Sequence, residues 1–316
     1  MARRNKRQAR SLVNGPHAYR PLEELLGIGW VQGSVMANGI RQHIYRTGSR
    51  RQPPVVLLHG FMEGAITWLR VAKALAADYH VIMPDARAHG RSAGPEKGFT
   101  PEILADDVGA LLEALELERP FLVGRSNGAV TAVLVTAAHP DRVRGLVLEE
   151  PPASAMPRPA IRPEQLQEKN WFQTWLQWMQ NLHGMSHEER LASALARWPN
   201  GLPIPPDEPV WSEDDFVTHV EALAQFNADI FRQKLDYWSL LPYLEQAKGL
   251  ICPVLLLAGN LELGSLVSDE TTAELAASWP RGRVLRVMES GHIISRGRTC
   301  EQFVRRLQSF LAQHRP

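Results

Sequence analysis

Phe121-Leu122-Val123-Gly124-Arg125-Ser126-Asn127-Gly128 is the stretch on which the reading of this chain turns. It runs from three apolar residues through a G-x-S-x-G pentapeptide into a helical pattern from Asn127 to Ala138. A short continuous apolar run reads as a strand buried on both faces. On average composition the three fixed residues would recur by accident in about one chain in ten of this length. The setting therefore carries the weight. A strand-to-helix turn this tight forces the serine into strained backbone, and glycines two residues before and after it keep neighbouring side chains from colliding. Such a turn holds Ser126 Oγ at the C-terminal edge of a sheet, beside the N–H donors and positive dipole end of a helix.

The same rhythm extends on both sides. Val31 to Met36 and Ile40 to Tyr45 read as strands joined at Ala37-Asn38-Gly39, where Asn-Gly signals a tight hairpin. Val55 to Leu58 and His80 to Met83 follow as strands, with Thr67 to Ala77 helical between them. Thr100-Pro101 opens a helix running to about Leu117, and Val143 to Leu148 is a further strand. Strand and helix alternation predicts an α/β fold: a mostly parallel sheet flanked by helices. The rhythm breaks at Pro151-Pro152 and resumes with strand Val254 to Leu257, helix Glu270 to Ser278, strand Val284 to Met288 and helix Thr299 to Leu311. Between them, six of the nine tryptophans (Trp171, Trp175, Trp178, Trp198, Trp211 and Trp238) fall where no buried-strand pattern occurs. The chain divides accordingly into a basic tail over residues 1–20, a core of residues 21–152 and 246–316, and a helical insertion over residues 153–245.

With 44% apolar residues the 316-residue chain can fill a substantial core, and its net charge of +1 gives no general pull towards nucleic acid or acidic membrane. Five basic residues, Arg3, Arg4, Lys6, Arg7 and Arg10, crowd the first ten positions, which leaves about −4 on the remainder. Ser11 to His17 offers no apolar run of export-signal length, so the expectation is a solvated tail. No stretch reaches the ~18 apolar residues of a membrane span. Cys252 opens an apolar run and Cys300 lies in a helix, as buried thiols rather than a disulfide would, which suits the cytoplasm.

A serine at its ordinary pKa needs an adjacent base to become a nucleophile. Eleven histidines compete for that role. His292, in Ser290-Gly291-His292 just beyond the last strand, is the strongest. His59 and His89 also lie in sheet-edge loops, whereas His43 and His219 read as surface or helix positions.

At this point the chain resembles the α/β-hydrolase fold superfamily, in its serine esterase and lactonase branch, from about residue 30 to 313. The resemblance rests on His59-Gly60-Phe61, Asp85-Ala86-Arg87-Ala88-His89-Gly90-Arg91-Ser92, Gly124-Arg125-Ser126-Asn127-Gly128 and Gly291-His292. It implies the chain order nucleophile, acid, histidine, an oxyanion hole from the N–H groups of Phe61 and Asn127, and a helical cap formed by the insertion. A serine rather than an aspartate at 126 speaks against the similar epoxide hydrolase and haloalkane dehalogenase branches. The acid stays open between two glutamates. Glu262 follows the seventh strand, where the family usually places it; Glu150 ends the sixth, where other members do.

Trp171, Trp175 and Trp178 share one helix face, which packs the insertion or lines an apolar pocket. Arg125 either draws an anionic substrate or pairs with an acid. The expected function is a cofactor-free, metal-free serine hydrolase cleaving a small hydrophobic ester or lactone through an acyl-enzyme. It needs no nucleic acid or membrane, and a homodimer is left open. Hydrolysis of C–C bonds, perhydrolysis, and a ligand receptor without turnover remain the alternatives.

Overall fold

The computed structural model describes residues 19–94, 96, 98–152, 171–197, 211–232 and 243–316. Its strands are β1 (Val31–Ala37), β2 (Ile40–Thr47), β3 (Pro54–Leu58), β4 (His80–Pro84), β5 (Phe121–Arg125), β6 (Gly145–Glu149), β7 (Val254–Gly259) and β8 (Gly282–Val287). They form one sheet in the order β1-β2-β4-β3-β5-β6-β7-β8. β2 is antiparallel to β1 and β4, and every other pairing is parallel. The helices are α1 (Leu22–Leu26), α2 (Leu69–Leu75), α3 (Pro101–Ala114), α4 (Asn127–Ala138), α5 (Trp171–Leu182), α6 (His187–Arg197), α7 (Glu213–Ala224), α8 (Tyr243–Lys248), α9 (Asp269–Ser278) and α10 (Cys300–Gln313).

The central strands are apolar on both faces because both faces are covered. Val55 and Leu57 of β3 join Phe121, Val123, Leu255 and Leu257 in a core under Trp68, Leu69 and Leu307. Their neighbours Val56 and Leu58 join Leu122, Leu146 and Leu256 in a second core with Leu112, Val130 and Val133. Successive side chains of a strand point to opposite faces, so one apolar run feeds two cores. Each such side chain contributes about 1.5–3 kcal/mol when fully buried.

Local signals were realised where the turn chemistry was explicit. Ala37 pairs with Ile40, which leaves Asn38 (φ 48°) and Gly39 (φ 67°) as the two-residue hairpin loop. Thr100 caps α3, its side chain accepting from the Ile103 N–H at 3.3 Å, with Pro101 at the first helical position. The helix expected from Thr67 instead begins as a 3-10 turn over Ala65–Trp68 and becomes α-helical only at Leu69. Gly64 O there accepts from both the N–H (3.0 Å) and the hydroxyl (2.8 Å) of Thr67, which closes the tighter turn. Cys252 and Cys300 are buried and unpaired.

Between β6 and β7 the described chain is helical, as its pattern predicts. α7 starts at a capping box in which Ser212 and Asp215 satisfy each other's backbone N–H groups. Every residue from Asp215 to Ala224 is buried, and α7 packs on the Ala65–Trp68 turn and α2. Trp198, Trp238 and residues 1–18 lie outside the described residues. Tyr19 and Arg20, expected in the solvated tail, are docked: the Tyr19 ring lies 5.5 Å from that of Phe216, and the Arg20 N–H donates to Glu213 at 2.8 Å. Among the described residues no helix is long and apolar enough to cross a membrane.

Candidate active site

Phe61, Ser126, Asn127, Glu150, Glu262 and His292 all follow the C-terminal ends of parallel strands, β3, β5, β6, β7 and β8. Ser126 sits between β5 and α4 at φ 52° and ψ −118°. Its N–H donates to Glu149 O at 2.8 Å, which anchors the strained turn. The flanking glycines are sterically required. A Cβ on Gly124 would stand 2.3 Å from Gly128 O, and one on Gly128 would stand 2.2 Å from Leu58 O. The loop after β3 passes against the nucleophile, since a Cβ on Gly60 would be 3.5 Å from Ser126 Cβ. Phe61 follows Gly60 in that loop, and Asn127 opens α4.

His292 follows β8, and its Nδ1 lies 3.4 Å from Glu150 Oε2. Glu150 has no exposed side-chain surface and a positive φ of 50°. Its Oε1 accepts from the Gly259 N–H and the Ser265 hydroxyl, and Oε2 accepts from the Leu266 N–H, each at 2.6 Å. The end of β7 and the segment after it thus supply three donors to Glu150. Glu262 itself is exposed on the short 3-10 turn Leu261–Leu263, where its N–H donates to Asn260 Oδ1. The structure brings Glu150, and not Glu262, to the His292 ring.

The other sheet-edge histidines are locked in neutral form. His59 Nε2 accepts from the Ala86 N–H at 2.9 Å, and His89 Nε2 accepts from the Met62 N–H at 3.1 Å. Burial lowers both pKa values, that of His89 to about 3 with help from His59. His43 and His219, read as surface or helix positions, are both buried. His43 Nδ1 lies 3.0 Å from Asp85 Oδ2. Burial pushes the Asp85 carboxyl up, but hydrogen bonds from His43, Ala65 and Arg91 hold it below the usual range.

A buried charge cluster that sequence reasoning missed underlies the site. Glu63 meets Arg125 and Arg296, whose guanidinium groups hold its carboxyl below the usual range against the effect of burial. Glu149, one residue before Glu150, accepts from the Ile294 and Ser295 N–H groups at 2.6 and 2.7 Å; burial raises its pKa. The only linear hint was the unusual Glu149-Glu150 pair closing an apolar strand. Among the described residues no three His, Cys, Asp or Glu side chains gather as a metal site.

The profile of the α/β hydrolase fold matches residues 53–295, most of the chain, including Ser126, Glu150 and His292. The chain belongs to the α/β-hydrolase fold family. This α/β hydrolase is 29% identical over 269 residues to N-formylmaleamate deformylase of Pseudomonas putida, a match spanning 83% of this chain and 90% of that protein. It is 37% identical to epoxide hydrolase A of Mycobacterium tuberculosis over 134 residues, which is only 42% of this chain and 41% of that enzyme. A solved N-formylmaleamic acid deformylase from Pseudomonas putida shares the fold at a TM-score of 0.69 and 23% identity, covering 88% of this chain and all of that one.

Of the two readings left open for Arg125 and for the tryptophans, the contacts in this hydrolase favour acid pairing and packing. Arg125 is 1% exposed, and its guanidinium donates to Glu63, Ser295 and Thr67, so it faces a buried network rather than a ligand. Trp175 and Trp178 are buried in the main core, with Trp178 Nε1 donating to Ser193 of α6 at 2.8 Å; this is packing. The Trp171 side chain lies outside the described residues. Phe61, in the loop after β3, packs its ring against Phe226 at 5.5 Å and Phe231 at 5.8 Å.

Proposed function

We propose that this α/β hydrolase cleaves carboxylic esters or lactones with Ser126 as nucleophile, His292 as base and Glu150 as the acid that orients the base. Ser126 Oγ attacks the carbonyl carbon while His292 Nε2 takes its proton. The N–H groups of Phe61 and Asn127 hold the developing oxyanion, where two preorganised donors are each worth about 3–4 kcal/mol. Collapse of the tetrahedral species breaks the C–O bond, and His292 returns the proton to the leaving alcohol. Water, deprotonated by the same imidazole, then releases the acid from Ser126. Glu150 fixes the tautomer and stabilises the imidazolium that forms twice per turnover.

The observation that carries this reading is the 3.4 Å approach of Glu150 Oε2 to His292 Nδ1 at the edge where Ser126 occupies its strained turn. The insertion acts as a cap, and the rings of Phe61, Phe226 and Phe231 favour an apolar acyl group. A second reading, cleavage of a C–N bond, is supported by the nearly full-length similarity to a deformylase. The same residues would serve it, with His292 protonating the leaving amide nitrogen and the formyl group passing through Ser126 to water.

A panel of p-nitrophenyl esters, acyl lactones and N-formyl amides tests both. A pre-steady-state burst with the esters, absent in Ser126→Ala, is expected. Turnover confined to the N-formyl amides would favour the second reading. Wild-type and Ser126→Ala proteins that are both folded and equally inert on the whole panel would overturn the assignment.

A further inference from the structure

We infer that Glu63 is a positioning residue that holds three loops of the proposed site in register. The inference rests on the serine-hydrolase reading above. Glu63 is nearly buried, and its two carboxylate oxygens reach three segments far apart in sequence. Oε2 accepts from the Gly60 N–H at 2.7 Å, the residue before the proposed oxyanion donor Phe61. The same oxygen accepts from Arg125 Nε at 2.9 Å, with a second contact from Nη2; Arg125 immediately precedes Ser126. Oε1 accepts from Arg296 Nη2 at 2.8 Å, and Arg296 lies four residues beyond His292. One side chain therefore ties the oxyanion loop, the nucleophile and the loop of the base.

Both guanidinium groups are held on their other sides. Arg125 lies over the Trp68 ring at 4.8 Å and donates to Thr67 Oγ1 at 3.1 Å and Ser295 Oγ at 2.8 Å. Ser295 belongs to the His292 loop, so Arg125 reinforces the same link. Arg296 lies over the Trp211 ring of the insertion at 5.2 Å, with Nη1 3.3 Å from His219 Nδ1. Arg125 and Arg296 are only 1% and 0% exposed, so solvent cannot replace Glu63 as their partner. Its neutral isostere would leave two buried cations to rearrange, carrying Gly60, Arg125 and Arg296 with them. A displacement near 1 Å among reacting groups costs about a hundredfold in rate.

The test counts working sites separately from their speed. Wild type and Glu63→Gln, each as the full chain, are titrated to the endpoint with a fluorophosphonate that labels Ser126. Each is then assayed on p-nitrophenyl butyrate. The expected result for Glu63→Gln is a kcat per titrated site lowered at least tenfold, with KM within twofold of wild type. A purely structural role would lower the number of titratable sites and leave each working at normal speed. That outcome, or a change confined to KM, overturns the inference. Should Glu63→Gln not fold, Arg296→Lys, which keeps the charge but loses the planar fork, is read by the same criteria. A wild type that is neither labelled at Ser126 nor active on any ester fails the functional reading itself and takes the inference down with it.

Discussion

At the scale of single residues, the choice between two glutamates rests on burial and on donors. Glu150 is enclosed, met by three donors at 2.6 Å, and the nearer oxygen stands 3.4 Å from His292 Nδ1. Glu262 is exposed and engages its neighbours only through its backbone. Replacing Glu150 by Gln keeps its shape but removes the charge that orients and stabilises the imidazolium. The expected loss in kcat is about 10³–10⁴-fold, as for other triads deprived of their carboxylate. Glu262→Gln should stay within twofold. Steady-state kinetics of the two variants on one ester checks the pair; equal losses would undo the assignment of Glu150.

At the scale of elements, the nucleophile turn works because α4 lies hard against β3. The Gly128 position is 2.2 Å from Leu58 O and 2.6 Å from His59 O, both backbone atoms that cannot rotate aside. Gly128→Ala must therefore lift α4 off the sheet, at a cost of about 3 kcal/mol or more. Gly184, between α5 and α6, has no neighbour within 4 Å of its Cβ position and no positive φ. Gly184→Ala should be neutral or stabilise by up to about 1 kcal/mol, by restricting the unfolded chain. Denaturant midpoints of the two variants measure the contrast. A Gly128→Ala protein as stable as wild type would contradict the packing described.

For the whole molecule, three histidines buried without charge set the acid limit of stability. Burial lowers the pKa values of His59, His89 and His219, the latter two to about 3, with Arg296 adding to the effect on His219. Below about pH 6.5 the unfolded chain takes up protons at these positions that the folded chain refuses. Stability therefore falls as the pH drops from 6.5, by up to about 1.4 kcal/mol per pH unit for each histidine. Glu149 acts in the opposite sense above its ordinary value, because its folded pKa is raised, but it is one group against three. The melting temperature should fall steadily between pH 6.5 and 4.5. A flat profile over that interval would mean that these rings are charged or exposed when folded.

Much was legible in the chain order alone. The hairpin at Asn38-Gly39, the Thr100 cap, the parallel strands and the Ser126 turn all follow from residues within a few positions of one another. Local backbone preference and side-chain periodicity act over that range. The sequence also gathered Ser126, Phe61, Asn127 and His292 at one edge, because parallel strands end on one side. Tertiary structure decided the rest, since burial and charge pairing depend on segments that meet only after folding. Position after a strand favoured Glu262 over Glu150; three donors from residues 259–266 and the approach to His292 reverse that order. Arg125 looked available beside the nucleophile until Glu63, 62 residues earlier, took its charge. Trp175 and Trp178 offered an apolar face that packing consumed. A linear pattern tells which side chains are apolar or charged; only the fold determines which of them remain free to meet a ligand.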